Sequence, residues 1–204
     1  MRYFNLFILL LLVNIGCNSS KNMTSQGPIT GVALDKYCSH PDKLLVIETK
    51  QGTMKIQLFD KVAPNHVAQI TKLAKDGMYN GTTFHRCMKN FMIQGGDPNS
   101  KDDDISNDGT GSMGERLKAE FNEISHVRGI CSMARTNDPN SATSQFFICN
   151  GTGAKSLDNQ YTVWGQVVDG YDIIDKITDL PGTDNGNGKN PGKASEMTKV
   201  YVTD

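Results

Sequence analysis

The strongest constraint on the fold is a succession of short apolar or alternating segments, most too short for a helix, separated by Gly, Asn, Asp and Pro. Leu44–Thr49 and residues 54–58 flank Gln51-Gly52-Thr53 and read as a β-hairpin. The second arm alternates Met54, Ile56 and Leu58 with Lys55 and Gln57, so one of its faces is buried. Further strand candidates are residues 84–88, 91–94, 130–134, 145–148, 162–168 and 198–202. Only two segments carry a helical period. Pro64 opens the first, Val67, Ile70, Leu73 and Ala74 form its stripe, and Gly77 closes it. The second, residues 171–178, gathers Ile173, Ile174 and Ile177 on one side and stops before Pro181. So few helices cannot cover so many strands layer upon layer. The expected class is all-β: a closed eight-stranded antiparallel β-barrel capped by two α-helices. The 204 residues suffice for one such domain, expected over residues 44–204.

Residues 1–16 are a different kind of sequence. Arg2 supplies a short positive region, and residues 6–13 form an unbroken apolar run. That run is about half the length that spans a bilayer and suits a cleaved signal peptide. Gly16 followed by Cys17 resembles the lipobox of bacterial lipoproteins, although Asn14 stands where Leu is usual. The resemblance implies a diacylglyceryl group on the Cys17 thiol, with cleavage just before it. The alternative is an ordinary secretory leader with a coincidental cysteine. The polar stretch after Cys17, residues 17–43, reads as a flexible tether. Asn18, rather than Asp, at the second mature position favours the outer over the inner membrane on the same analogy. The expected location is therefore the bacterial cell envelope, lipid-anchored, with the domain in the periplasm.

The formal net charge is −1, or −2 without Arg2, and no Lys/Arg stripe is present, so nucleic acid is not an expected partner. Cys131 and Cys149 lie in apolar stretches and read as buried thiols. Cys38 and Cys87 are left open: they pair in an oxidising compartment or stay reduced.

Three blocks carry the chemistry. The first is Phe84-His85-Arg86-Cys87-Met88-Lys89-Asn90-Phe91-Met92-Ile93-Gln94-Gly95-Gly96-Asp97. The second runs from Ser132-Met133-Ala134-Arg135 to Ser144-Gln145-Phe146-Phe147-Ile148, and the third is Leu157-Asp158-Asn159-Gln160-Tyr161-Thr162-Val163-Trp164-Gly165. In order and spacing they resemble the cyclophilin signature: F-H-R, F-M-x-Q-G-G-D, S-M-A, S-Q-F-F-I and L-D-G-x-x-x-V-F-G. The resemblance covers roughly residues 44 to 203. It implies a peptidyl-prolyl cis–trans isomerase acting on exported or envelope proteins as they fold. Its partners would be proline-containing polypeptides and, through the lipid, the membrane; the chain is expected to be a monomer.

The residues suit that chemistry on their own terms. Rotating an X–Pro bond means breaking amide resonance, at about 18–20 kcal/mol for an ordinary peptide bond, and no covalent bond is made or cut. A catalyst needs an apolar pocket for the ring, hydrogen-bonding groups for the flanking backbone, and a fixed cation for the twisted amide. No cofactor is required. Phe91, Met92, Phe147 and Leu157 supply the pocket, Gln94 and Gln145 the amides, and Arg86 the cation. Met92 and Gln94 are two apart and share a strand face, as do Gln145 and Phe147, which turns Phe146 and Ile148 into the barrel. By resemblance, Arg86 is the catalytic residue, Ala134 and Arg135 lie along the substrate backbone, and Tyr161 walls the pocket.

Three positions depart from familiar members. Arg135 replaces an Asn, Tyr161 replaces a His, and Ser156 stands where many eukaryotic members carry a Trp that packs on cyclosporin. The last change implies weak binding of that drug. Asp102-Asp103-Asp104-Ile105-Ser106-Asn107-Asp108 extends a loop near the site and makes its rim acidic, suited to basic substrates. Asp104, Ser106, Asp108, Gly109 and Glu115 fit D-x-S-x-D-G-x5-E, close to an EF-hand loop. Gly111 occupies the usual apolar position and no helix pattern precedes Asp104, so a glycine-rich surface loop is expected and no metal. The rival reading of the whole chain is a non-enzymatic lipoprotein that binds proline peptides on the same fold. A hydrolase built on Ser144 or a cysteine lacks a nucleophile–base–orienter pattern.

Overall fold

Residues 32–184 and 186–203 are described by the structure, a computed structural model. The leader, Cys17 and the first part of the tether lie outside the described residues. The hairpin of β1 (Leu44–Thr49) and β2 (Gly52–Leu58) forms as its alternation requires, with Leu45 opposite Ile56 and Ile47 opposite Met54. β10 (Met197–Val202) pairs with the other edge of β1, and β7 (Val163–Asp169) with the other edge of β2. Beyond β7 come β5 (Ile130–Met133), β6 (Phe146–Cys149), β4 (Met92–Gly95) and β3 (Arg86–Met88). Two further strands, β9 (Lys189–Asn190) and β8 (Thr183–Asp184), end the sheet.

The expected closed eight-stranded barrel is therefore corrected: among the described residues the sheet has ten strands and is curled but open. Its seam lies where the chain entering β3 meets the start of β10. Contact there is one isolated bridge, Thr83 to Glu196, with Gly81 N–H to Met197 O (2.9 Å), Met197 N–H to Thr82 O (2.8 Å) and Phe84 N–H to Ser195 O (3.4 Å) around it. A continued ladder would direct the Thr82 N–H to Met197 O, but that donor is given to Tyr79 O at 3.1 Å and Gly81 N–H takes its place. The two extra strands are two residues long, too short for any periodicity to announce them.

Among the described residues three α-helices accompany the sheet: α1 (Val32–Tyr37), α2 (Pro64–Lys75) and α3 (Tyr171–Asp179). α2 buries His66, Val67, Ile70, Leu73 and Ala74. Its N-terminus has no capping side chain of its own; the distant Glu120 carboxylate accepts from the Asn65 and His66 N–H groups, both at 3.1 Å. α3 buries Ile173, Ile174 and Ile177. α1 was unexpected, since it falls in the predicted tether. Leu34 and Tyr37 pack on the outer face of the sheet, Tyr37 5.5 Å from the Phe59 ring, and Lys61 N–H bonds to Tyr37 O. That burial, rather than local propensity, holds six helical residues in place.

Two apolar clusters result. The inner one contains Ile93, Phe146, Ile148, Trp164 and the buried stripes of α2 and α3. Tyr79, Phe84 and Trp164 all stand edge-on to Phe146, with centroids 5.7, 6.2 and 5.7 Å away. The outer cluster lies on the opposite face and contains Phe59, Met92, Phe147 and Val163. Cys38, Cys87, Cys131 and Cys149 are all buried and all free, so Cys38 and Cys87 do not pair.

Candidate functional site

The antiparallel register sets the site. Arg86 on β3 is directly opposite Gln94 on β4, Gln94 is opposite Phe147 on β6, and Phe147 is opposite Ser132 on β5. Directly opposed residues share a face, so these four side chains form one row across the outside of the sheet. The neighbouring row on that face is Met88, Met92 and Cys149. Cation, amide and apolar ring are brought together by pairing alone.

Hydrogen bonds fix the polar members. Arg86 Nη1 donates to Gln94 Oε1 (3.3 Å), Gln94 Nε2 to Gln145 Oε1 (3.0 Å), and Gln145 Nε2 to Gly109 O (3.0 Å) and Gly111 O (2.8 Å). The carbonyls that end this chain are held by Asp97, which is fully buried. Its Oδ2 accepts from the Gly109 and Gly111 N–H groups, and its Oδ1 from Asn99 N–H at 2.8 Å. The Gly-Gly-Asp turn is thus an anchor for the loop that orients Gln145. Gly96 permits it: at φ +82, a Cβ there would lie 2.7 Å from Ser144 O.

Among the described residues Arg86 makes no ion pair, and its remaining contacts are Nε to Asn187 O (2.6 Å), Nη2 to Asn187 Oδ1 (3.0 Å) and Nη2 to Met88 Sδ (3.3 Å). Burial draws its pKa down somewhat, yet a guanidinium stays protonated throughout the physiological range. The site therefore keeps an uncompensated positive charge on a half-buried side chain.

The apolar wall is equally ordered. Tyr161 meets Phe147 edge-on at 5.6 Å, and Arg135 lies over the Tyr161 ring at 4.5 Å. The Arg135 side chain thus props the wall, which the sequence did not indicate. Phe91 and Leu157 are partly buried against the same cluster, whereas Met92 and Phe147 are nearly sealed. The Ala134 N–H is spent on Gln145 O at 2.9 Å, so what this residue can offer a peptide is its carbonyl. Every predicted site residue of the domain falls on this face or at its rim. Gln94, Gln145, Ala134 and Arg135 also border a cavity of about 380 Å³ whose far wall is Thr143, Arg116 and the 109–112 loop. Arg116 and Thr143 were not foreseen, because the loops that carry them have no periodic signal.

Behind Phe147 lies a second group that sequence reasoning missed. The His126 ring stacks on Phe147 at 5.9 Å and 21°. Its Nδ1 is 2.9 Å from Asp158 Oδ1 and its Nε2 3.1 Å from Ser132 Oγ. The order Asp–His–Ser imitates a hydrolytic triad, but Ser132 is fully buried and its hydroxyl bonds Thr162 O at 2.8 Å. No substrate atom reaches it. Burial lowers the His126 pKa against the pull of Asp158, so the ring is a neutral platform for the pocket. His85 sits behind Arg86, buried, with its pKa also lowered by burial.

In the loop that resembles an EF-hand, Asp104 turns on itself, accepting from the Ser106 N–H (3.0 Å) and hydroxyl (2.6 Å). Among the described residues no group of three or more His, Cys, Asp or Glu is placed to hold a metal.

Comparison with known proteins agrees with this geometry. A family model for "Cyclophilin type peptidyl-prolyl cis-trans isomerase/CLD" matches residues 44–202. A probable peptidyl-prolyl cis-trans isomerase of Brucella suis is 43% identical over 173 residues, covering 82% of this chain and 88% of the relative. A peptidyl-prolyl cis-trans isomerase of Acinetobacter baylyi is 36% identical over 167 residues, covering 78% and 85%. A cyclophilin-type isomerase from Cryptosporidium parvum, crystallised in the presence of the dipeptide Ala-Pro, superposes with a TM-score of 0.69 at 28% identity, over 79% of this chain and 99% of that one. The curled sheet, the outer row of Arg86, Gln94 and Phe147, and a family match over residues 44–202 lead to one conclusion: the chain belongs to the cyclophilin-type peptidyl-prolyl cis–trans isomerase family.

Proposed function

We propose that Arg86 is the catalytic residue of an isomerase that works on exported proteins from a lipid anchor on Cys17. The observation that carries the first half is the cross-strand row, which sets an unneutralised guanidinium beside an oriented amide and an apolar ring. The proline ring enters against Phe91, Met92, Phe147, Leu157 and Tyr161. Gln94, Gln145 and the main chain at Ala134 and Arg135 hold the flanking peptide. As the amide twists, its nitrogen loses resonance and becomes an acceptor, and the guanidinium donates to it there. Because that hydrogen bond strengthens only in the twisted state, it lowers the barrier rather than merely tightening binding. A thousandfold acceleration needs about 4 kcal/mol, within reach of a charge-assisted hydrogen bond joined to a fitted pocket.

The second half rests on the leader: a positive start, an apolar run of signal-peptide length, and Gly16-Cys17. On this reading the domain acts as a monomer in the periplasm, with the outer membrane favoured by Asn18. Exposed Asp102, Asp103 and Asp104 lie on the loop leading to Gly109 and favour clients with basic residues near the proline.

Exchange NMR on a short Ala-Pro peptide tests the catalytic half. Arg86→Ala is expected to lose at least about a hundredfold in kcat/KM, roughly 3 kcal/mol, with its melting temperature within a few degrees of the parent; undiminished turnover would refute the role. For the anchor, Cys17→Ser is expected to move the protein from the membrane to the soluble fraction, and an unchanged distribution would refute lipidation.

A further inference from the structure

We propose that Asn187 is a positioning residue for Arg86, holding one edge of the guanidinium so that Nη1 is the nitrogen presented to the twisting amide. This rests on the catalytic reading of Arg86 above. Asn187 makes a two-point grip: its main-chain oxygen accepts from Nε at 2.6 Å and its side-chain Oδ1 from Nη2 at 3.0 Å. A guanidinium has five N–H donors in a rigid fork. The grip takes the Nε–H and one Nη2–H, Met88 Sδ lies against the same Nη2, and Gln94 takes one Nη1–H. The donor left uncommitted is the second hydrogen of Nη1, on the same nitrogen that bonds Gln94.

The support for Asn187 is built for placement. It lies in the turn joining β8 to β9, and β9 is tied to Arg86's own strand through Cys87 and Lys189. Asn190 Nδ2 donates to Asp108 Oδ2 at 2.7 Å, which fastens β9, the strand that leaves this turn, to the loop that orients Gln145. Gly188 lets the turn lie flat on its target: at φ +126, a Cβ there would stand 3.0 Å from both Arg86 Cγ and Met88 Cγ. The chemistry of the residue matters as well. A neutral amide oxygen orients the fork without cancelling its charge, whereas a carboxylate in its place would form a fork-to-fork ion pair and compete with the prolyl nitrogen.

The test is steady-state exchange kinetics on the mature chain with an Ala-Pro peptide, using Asn187→Ala, Asn187→Asp, Arg86→Ala and the double variant Arg86→Ala/Asn187→Ala. Asn187→Ala is expected to lose about tenfold in kcat with KM little changed, since misorientation is felt in the twisted state. Asn187→Asp is expected to lose more, with its thermal stability maintained. In the Arg86→Ala background, removing Asn187 is expected to cost nothing further. Full activity in either Asn187 variant, or the same fractional loss with and without Arg86, would overturn the proposal. Full activity in Arg86→Ala would instead overturn the catalytic reading beneath it.

Discussion

Two adjacent rows cross the same four strands and do opposite things. The inward row, Cys87–Ile93–Ile148–Cys131, is buried and apolar from end to end. The outward row, Arg86–Gln94–Phe147–Ser132, lies one residue away and mixes a cation, an amide, a ring and a hydroxyl. Strand alternation lets three-residue and four-residue strands serve both ends, with hydrophobic burial on one face and chemistry on the other. It also makes register decisive, because a slip by one residue would exchange the faces and bury the guanidinium. The difference teaches that stability and activity are separable here at single-residue resolution along the strand.

Substitutions can break that separation. The largest effect is expected inward: Ile148→Ala, at a fully buried position, should cost about 3 kcal/mol of unfolding free energy while kcat/KM of the folded protein stays within about threefold, since no catalytic contact is removed. Denaturant titration and exchange kinetics on the same sample check both. Outward, Phe147→Ala should do both kinds of damage, because the ring is a wall of the pocket and a member of the outer cluster. A loss of about thirtyfold in kcat/KM, roughly 2 kcal/mol, is expected together with a lowered melting temperature. Gln94→Ala removes only a hydrogen-bonding side chain from the row. Its expected cost is about tenfold in kcat/KM, near 1.4 kcal/mol, with stability hardly altered.

Acid sharpens the comparison with the smallest effect. His126 beneath Phe147, His85 behind Arg86 and His66 on α2 all have pKa values lowered by burial. The unfolded chain takes up their protons near pH 6.5 and the folded one resists, so stability is full above about pH 6.5 and declines as the pH falls below it. The inward row has no such response, because burial pushes its thiols upward, Cys87 to about 12 and Cys131 well above its ordinary value. Denaturation midpoints between pH 7 and 5 should therefore fall in the parent and fall less in His126→Gln. A flat profile in the parent would contradict the assignment of neutral buried histidines.

Much of this was legible in the sequence because it lay in periodicity. The faces of Met92 and Gln94, and of Gln145 and Phe147, followed from spacing two, and α2 and α3 start at Pro64 and Tyr171 as their patterns required. What escaped had no local signal. β8 and β9 are too short to alternate, and α1 exists because Leu34 and Tyr37 found the outer cluster. The open seam depends on the Thr82 N–H turning to Tyr79 O, a local turn invisible to pattern. His126 and Asp158 are 32 residues apart and meet only in the fold. Asn187 carries no signal in the sequence, and the pairing of β9 with β3 is what brings it to Arg86.

The central claim is that an oriented guanidinium on the outward row, and not simple grip by the pocket, lowers the rotation barrier. Arg86→Lys tests it most directly, since lysine keeps the charge but loses the planar fork. With one Ala-Pro peptide, chemical-shift titration gives the affinity and exchange spectroscopy gives the turnover of the same complex. The account predicts an affinity within about threefold of the parent and an exchange rate at least about tenfold lower. Equal exchange rates in the lysine variant and the parent would contradict it.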